Sequence, residues 1–205
     1  MLILSGSPII GNFDFHSRVD FVRFPGVIKL RNGNYTPLGL DIGVEEALAI
    51  RQAIIHRTAE VFAPDIFLVD KEPQGLRGEV KDTLVMLKEK GTRLVLGLRD
   101  VMEAPDALAE EWKRKKAVSV LDELYDDIWI YGLESIYNPL IGIYMPPSVH
   151  YKMSYTGYLR RSTAGSRPRL PHRVLHNSRR RSPWSRRRPQ CSSKPHFFYR
   201  DNKVW

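Results

Sequence analysis

The stretch Asp65–Asp100 reads DIFLVDKEP (65–73), QGLRGEVKDTLVMLKEKG (74–91) and TRLVLGLRD (92–100). Its first and last pieces are short apolar runs, Ile66–Val69 and Leu94–Leu98, which end abruptly in charge at Asp70-Lys71-Glu72 and Arg99-Asp100. Continuous apolarity of this length marks strands buried on both faces, as in a parallel sheet flanked by helices. Between the runs, Val80, Leu84 and Leu87 recur at helical spacing, with Thr83 and Met86 beside them, and Gly91 supplies a C-terminal stop. The unit is βαβ, and its crossover is expected to be right-handed. Ligands of open α/β sheets bind beyond the carboxyl ends of the strands. Both runs place ionisable residues there, although charge after a strand is as often plain solvated loop.

The same alternation extends outward. From Val44 to Phe62, the residues Ala47, Leu48, Ile50, Ile54, Ile55, Val61 and Phe62 share one broad helical face. Glu45, Glu46, Arg51, Gln52 and Arg57 fall largely elsewhere, and Pro64 ends the helix. Pro105 is placed in the first turn of a further helix running to Leu124, with Leu108, Trp112, Val120, Leu121 and Leu124 inward. The basic cluster Lys113–Lys116 reads as a solvated face. Asp127–Tyr131 is another short buried strand, residues 133–148 a connection, and Val149–Tyr151 and Tyr155–Leu159 extended pieces. Before the first helix, Leu2–Leu4 is a strand leading into Ser5-Gly6-Ser7-Pro8. Residues 9–43 are loop-rich, with an extended piece at Val27–Leu30 and a turn at Asn32-Gly33. His16 has no partner constellation around it and reads as a surface or core-edge residue. The expected fold is α/β: a Rossmann-like three-layer domain over residues 1–160. Strands near 2–5, 66–70, 94–98 and 128–131 are expected in one largely parallel sheet.

The net charge of +9 is not a property of the whole chain. From Arg160 onward there are 14 Lys and Arg residues against the single acid Asp201, giving +13. Residues 1–159 hold 18 basic and 22 acidic residues, giving −4. A mildly acidic domain is thus joined to a basic tail over 161–205. Arg, Ser and Pro dominate this tail, which offers too little apolar surface to offset ordering and is expected to be disordered. With one cysteine, Cys191, no intrachain disulfide or cysteine-rich metal cluster can form. No apolar run approaches a bilayer span, and MLILSGSPII lacks the basic leader of a secretory signal. A cytoplasmic protein without metal or cofactor is the expectation.

Six segments occur in order: SGSP (5–8), NGNY (32–35), FAPDIFLVDKEPQGLRGE (62–79), LVLGLRD (94–100), YDDIWIYG (125–132) and YTGYL (155–159). Together they resemble the N-terminal half of a predicted GT-B glycosyltransferase family, distantly related to the peptidoglycan lipid-intermediate glucosaminyltransferase. The resemblance covers about residues 2–160. It implies two Rossmann-like domains facing a cleft. The N-terminal domain contacts an acceptor, and the C-terminal one holds most of a nucleotide-sugar donor. Two departures follow from it. The family's first strand, its glycine-rich loop and the helix after it are not found, so the chain opens at what corresponds to the second strand. Arg160–Trp205 stands where the donor domain belongs, and an out-of-frame reading of that domain is one expected origin of the tail.

Under this resemblance Ser5, Gly6, Lys71 and Arg99 are the candidate substrate-binding residues. The two cations suit an anionic acceptor or a leaving diphosphate. Glu72 and Asp100 are candidate general bases for an acceptor hydroxyl. Asp70 or Asp100 can equally serve structure, by pairing with Arg99 or accepting loop amides. Transfer by this chain alone is not expected. Two other readings stand beside it. One is non-specific nucleic-acid binding by the tail, where Arg179–Arg181 and Arg186–Arg188 flank Trp184 and Phe197–Tyr199 follows. The other is a folded, non-enzymatic remnant.

Overall fold

The computed structural model describes residues 1–158. The tail and the Leu159 end of the last extended piece lie outside them. Helices and strands are mixed, and the central feature is a four-stranded, all-parallel sheet. In chain order the elements are β1 (Leu2–Ser5), β2 (Asp20–Arg23), β3 (Val27–Lys29), β4 (Tyr35–Pro37), α1 (Val44–Phe62), β5 (Ile66–Asp70), α2 (Lys81–Glu89) and β6 (Arg93–Arg99). They continue as α3 (Pro105–Arg114), α4 (Ala117–Glu123), β7 (Asp127–Tyr131), α5 (Pro147–His150) and β8 (Met153–Tyr155). The strand order β5-β6-β7-β8 follows the sequence. The register sets Val69 beside Leu96, Leu96 beside Ile128 and Ile128 beside Met153.

Because side chains alternate across a strand, this register sorts the sheet into two faces. Val69, Leu94, Leu96, Leu98, Ile128 and Ile130 share one face and are buried. They form a single core with Ile55 and Ala59 of α1, Leu84 and Leu87 of α2, Trp112 of α3, Leu121 of α4 and Val149 of α5. The opposite face carries Ile66, Leu68, Val95, Trp129 and Tyr131, none of which belongs to that core. There Ile66 is 53% exposed and Leu68 42% exposed. The expectation of double burial therefore holds for β6, where Leu94–Leu98 are all buried, and fails for β5. The helices packed around β5 cover one side of it only.

Several further expectations are corrected. β1 forms where expected, but it does not join the four-stranded sheet. It pairs in parallel with β2, Leu2 beside Asp20 and Ser5 beside Arg23. The turn at Asn32-Gly33 closes a small antiparallel hairpin of β3 and β4, with Gly33 at φ +85°. The helix expected over Pro105–Leu124 is two helices, because Lys116 adopts φ +51° and breaks the ladder. The Lys115 carbonyl there accepts a hydrogen bond from the Gln74 side chain at 3.1 Å. Residues around Val149 form one helical turn opened by Pro147, not a strand. α1 keeps its expected bounds, yet Val61 and Phe62 at its end are exposed and Arg51 is buried. His16 is exposed.

Asp126 ties two elements to the sheet. It accepts from Lys88 at the end of α2 (2.6 Å) and from the Leu94 amide (2.8 Å). Burial works against its ionised form, but Lys88 and the Leu94 amide outweigh burial and hold the carboxyl below its ordinary value. A depressed folded-state pKa stabilises above the unfolded value of about 4, and the contribution is lost as pH falls through the folded value. Asp126→Asn is expected to lower stability at neutral pH and to flatten the loss of stability between about pH 5 and pH 2. Urea midpoints across that range check it; an unchanged acid limb would refute the assignment.

Candidate functional site

Parallel strands deliver their carboxyl ends to one edge, and the alternation of side chains decides where each charged residue goes. At the ends of β5, β6 and β7, Asp70, Arg99 and Tyr131 fall on the open face. The Arg99 guanidinium stands 3.7 Å from the Asp70 carboxylate, and both side chains are more than half exposed. Tyr131 lies across Gly97, where any Cβ would overlap its phenol ring. Gly97 is beside Asp70 in the register, so the ring reaches over β6 towards β5. Burial, and then the Asp70 carboxylate, push the Tyr131 hydroxyl up from its ordinary value, which keeps it a protonated donor at neutral pH. An acceptor, a cation and a hydroxyl donor on three adjacent strands suit a ligand that carries both hydroxyl and anionic groups.

The other candidates have hydrogen-bond partners outside this group. Lys71 follows β5 with φ +67° and donates to Glu103 at 2.6 Å. That hydrogen bond holds the Glu103 carboxyl below its ordinary value, although burial opposes it. Glu72 accepts from Lys115 at 2.7 Å, and Lys115 also donates to Glu111 at 2.6 Å. Burial lowers the Lys115 pKa, but Glu111 and Glu72 outweigh it and raise the group above its ordinary value. Glu72 and Lys115 line a small cavity of about 170 Å³ with Gln74, Gly75, Arg77 and Trp112. Asp100 packs against Gly132 and accepts from the Tyr158 hydroxyl at 2.7 Å. That bond to Asp100 leads the causes raising Tyr158 above its ordinary value. Ser5 Oγ accepts from the Ser7 amide at 3.1 Å.

Gly6 has a structural reason to lack a side chain. A Cβ there would meet the Arg51 guanidinium and the Phe24 ring. Arg51 stacks over Phe24 with its Cζ 4.5 Å from the ring centroid, donates to the Pro25 carbonyl at 2.9 Å, and makes a two-pronged ion pair with Glu79. The structure thus separates the six sequence candidates into distinct settings. Arg99 lies in the open group. Lys71, Glu72 and Asp100 are each held by a partner of their own. Ser5 and Gly6 close the turn after β1. Sequence reading missed Tyr131 as part of the group. The one available signal is its spacing two residues after Trp129 at the end of an otherwise apolar strand.

Gly97→Ala is expected to lift the Tyr131 ring off β6 and to cost about 1–3 kcal/mol, the usual range for forcing an added carbon into a filled site. Chemical denaturation reads the cost, and the proton shifts of Tyr131 read the displacement. An unchanged Tyr131 environment would show that the ring does not lie where the register sets it. No family model, curated protein or solved structure matches this chain. Among the described residues no helix is long and apolar enough to cross a membrane.

Proposed function

We propose that this chain is the acceptor side of a GT-B-type glycosyltransferase, acting with a nucleotide-sugar donor. The carrying observation is the meeting of Asp70, Arg99 and Tyr131 on an open sheet face at the carboxyl ends of parallel strands. The order of the segments from SGSP to YTGYL supports the same reading. In the transfer, a base takes the proton of the acceptor hydroxyl, its oxygen bonds to the anomeric carbon, and the nucleoside diphosphate leaves with the electrons of the broken bond. Glu72 and Asp100 are the proposed bases, the latter once Tyr158 releases it. Arg99 and Lys71 offset charge on an anionic acceptor or the leaving diphosphate, and Ser5 and Gly6, in the turn after β1, are the further substrate-binding residues of this reading. The three-layer Rossmann-like form belongs to this reading, because it requires cover over the Ile66 and Leu68 face. A cytoplasmic setting belongs to it as well, since nucleotide sugars are the donors.

Titrating the isotopically labelled chain with glucose 6-phosphate, a probe that carries the hydroxyl and anionic groups expected of an acceptor, tests the reading. The expected shifts lie at Asp70, Arg99 and Tyr131 and vanish in Arg99→Ala. Shifts confined to other residues, or none at millimolar ligand, would overturn it.

The charge of +13 on residues 160–205 supports a second reading, sequence-blind binding of nucleic acid. If the tail neutralises six to ten phosphates, affinity is expected to fall by about 10³–10⁵ between 50 and 200 mM salt. Filter binding to unrelated duplexes checks this. A marked preference for one sequence, or a flat salt response, would exclude it.

A further inference from the structure

The cavity of about 170 Å³ between the loop after β5 and the junction of α3 with α4 is lined by groups with bonding capacity to spare. Trp112 is only 4% exposed. Among the described residues its indole N–H has no acceptor, yet no fully enclosed side-chain nitrogen or oxygen lacks a partner. The exposed sliver of Trp112 therefore includes Nε1, and the cavity it lines is where that N–H opens. A donor so nearly enclosed costs free energy until an acceptor reaches it.

The cavity also carries both signs of charge. Lys115 gives two of its three protons to Glu72 and Glu111, so two carboxylates share one ammonium and one negative charge is left over. Glu72 uses Oε2 in that bond, which leaves Oε1 to accept from a ligand. Arg77 supplies the opposite charge. Its partners, the Tyr35 ring at 5.6 Å and the 77% exposed Glu45, lie outside the cavity lining, and exposed contacts of this kind hold an arginine weakly. Arg77 also has φ +50°, in the left-handed region that a glycine occupies without strain. Backbone strain of this kind collects at ligand clamps. Pro73, Ala117 and Trp112 add an apolar wall.

We infer that this cavity binds a free α-amino acid with a small apolar side chain. A zwitterion meets both charges at once. Its carboxylate accepts from Arg77 and the Trp112 N–H, its ammonium donates to Glu72 Oε1, and its side chain lies against Pro73 and Ala117. A purely anionic ligand would meet Glu72 with nothing to donate, and a purely cationic one would leave Arg77 and the Trp112 N–H unanswered. The size agrees, since a cavity of about 150 Å³ holds benzene. The inference shares only Glu72 with the transfer reading, and it needs neither the group of Asp70, Arg99 and Tyr131 nor a sugar donor.

The test titrates the full chain, isotopically labelled, with L-alanine and L-valine at tens of millimolar. At least one of them is expected to shift the Trp112 indole N–H and the Gln74 and Gly75 amides saturably. Propanoate and 3-methylbutanoate lack the ammonium, and ethylamine and 2-methylpropylamine lack the carboxylate. Each is expected to bind about tenfold or more weakly than its parent amino acid. Arg77→Gly relieves the strained backbone and removes the guanidinium, so it is expected to keep or raise the urea midpoint while weakening binding about tenfold or more. Glu72→Gln is expected to weaken binding and keep the circular dichroism of the parent. Absence of a saturable shift with both amino acids would overturn the inference. So would an analogue that binds as tightly as its amino acid, or unaltered binding in either variant.

Discussion

Glu79→Ala will destabilise the folded chain by about 3–5 kcal/mol, the cost of leaving a buried charge without its partner. The side chains of Arg51 and Glu79 are only 9% and 6% exposed. Both guanidinium nitrogens that face Glu79 lose their acceptor in the variant, and the Pro25 carbonyl cannot replace a carboxylate. Glu79 Oε1 also accepts from the Leu76 amide at 3.4 Å, so the turn through residues 76–79 loosens at the same time. Replacing both partners by apolar groups, Arg51→Met with Glu79→Leu, is expected to cost less than Glu79→Ala alone, because no desolvated charge is left behind. Urea unfolding of the single and double variants completes a cycle that reads the coupling. A loss below about 1 kcal/mol for Glu79→Ala would place the pair among ordinary surface ion pairs and refute its burial.

This pair also shows where sequence reading stops. An arginine among Glu46, Gln52 and Arg57 on an amphipathic helix reads as solvent-facing, since helical spacing ranks residues by polarity and carries no information on distant carboxylates. Its partner lies 28 residues away in a loop. The stretch Asp65–Asp100 is legible for the opposite reason: strand, helix and strand are contiguous, and each is written in local apolar spacing. β1 is legible as a strand but not in its pairing, because pairing depends on β2, which sits in a segment read as loop. The break between α3 and α4 leaves no clear mark either. Lys116 is a good helix former, and its left-handed backbone accompanies tertiary bonds of Lys115 to Glu72 and Gln74. At the candidate site, charge at strand ends identified Arg99 but could not separate it from Lys71, Glu72 and Asp100. That separation depends on the parity of the last strand residue, which a shift of one position would reverse.

Purified chain 1–205 is expected to form no glycosylated product with any nucleotide sugar, even where acceptors shift Asp70, Arg99 and Tyr131. Transfer requires the anomeric carbon and the acceptor oxygen to be held within reach of each other, and such orientation contributes about 7–11 kcal/mol at best. On the proposed reading the open group anchors one reactant only. A diphosphate is usually gripped by consecutive backbone amides of a glycine-rich loop at a helix N-terminus. Among the described residues, the loop from β5 to α2 has two glycines, Gly75 and Gly78, and not the glycine run that such a grip needs. Arg99 alone, more than half exposed and shared with Asp70, offers a single screened cation in place of that grip. The expected outcome is therefore acceptor binding without turnover. Supplying a donor-binding domain of the GT-B type in trans is the condition under which product should appear. Mass-spectrometric product assays with and without that domain distinguish the cases. Turnover by the chain alone would require a donor site within residues 1–205 and would overturn its assignment to the acceptor side only.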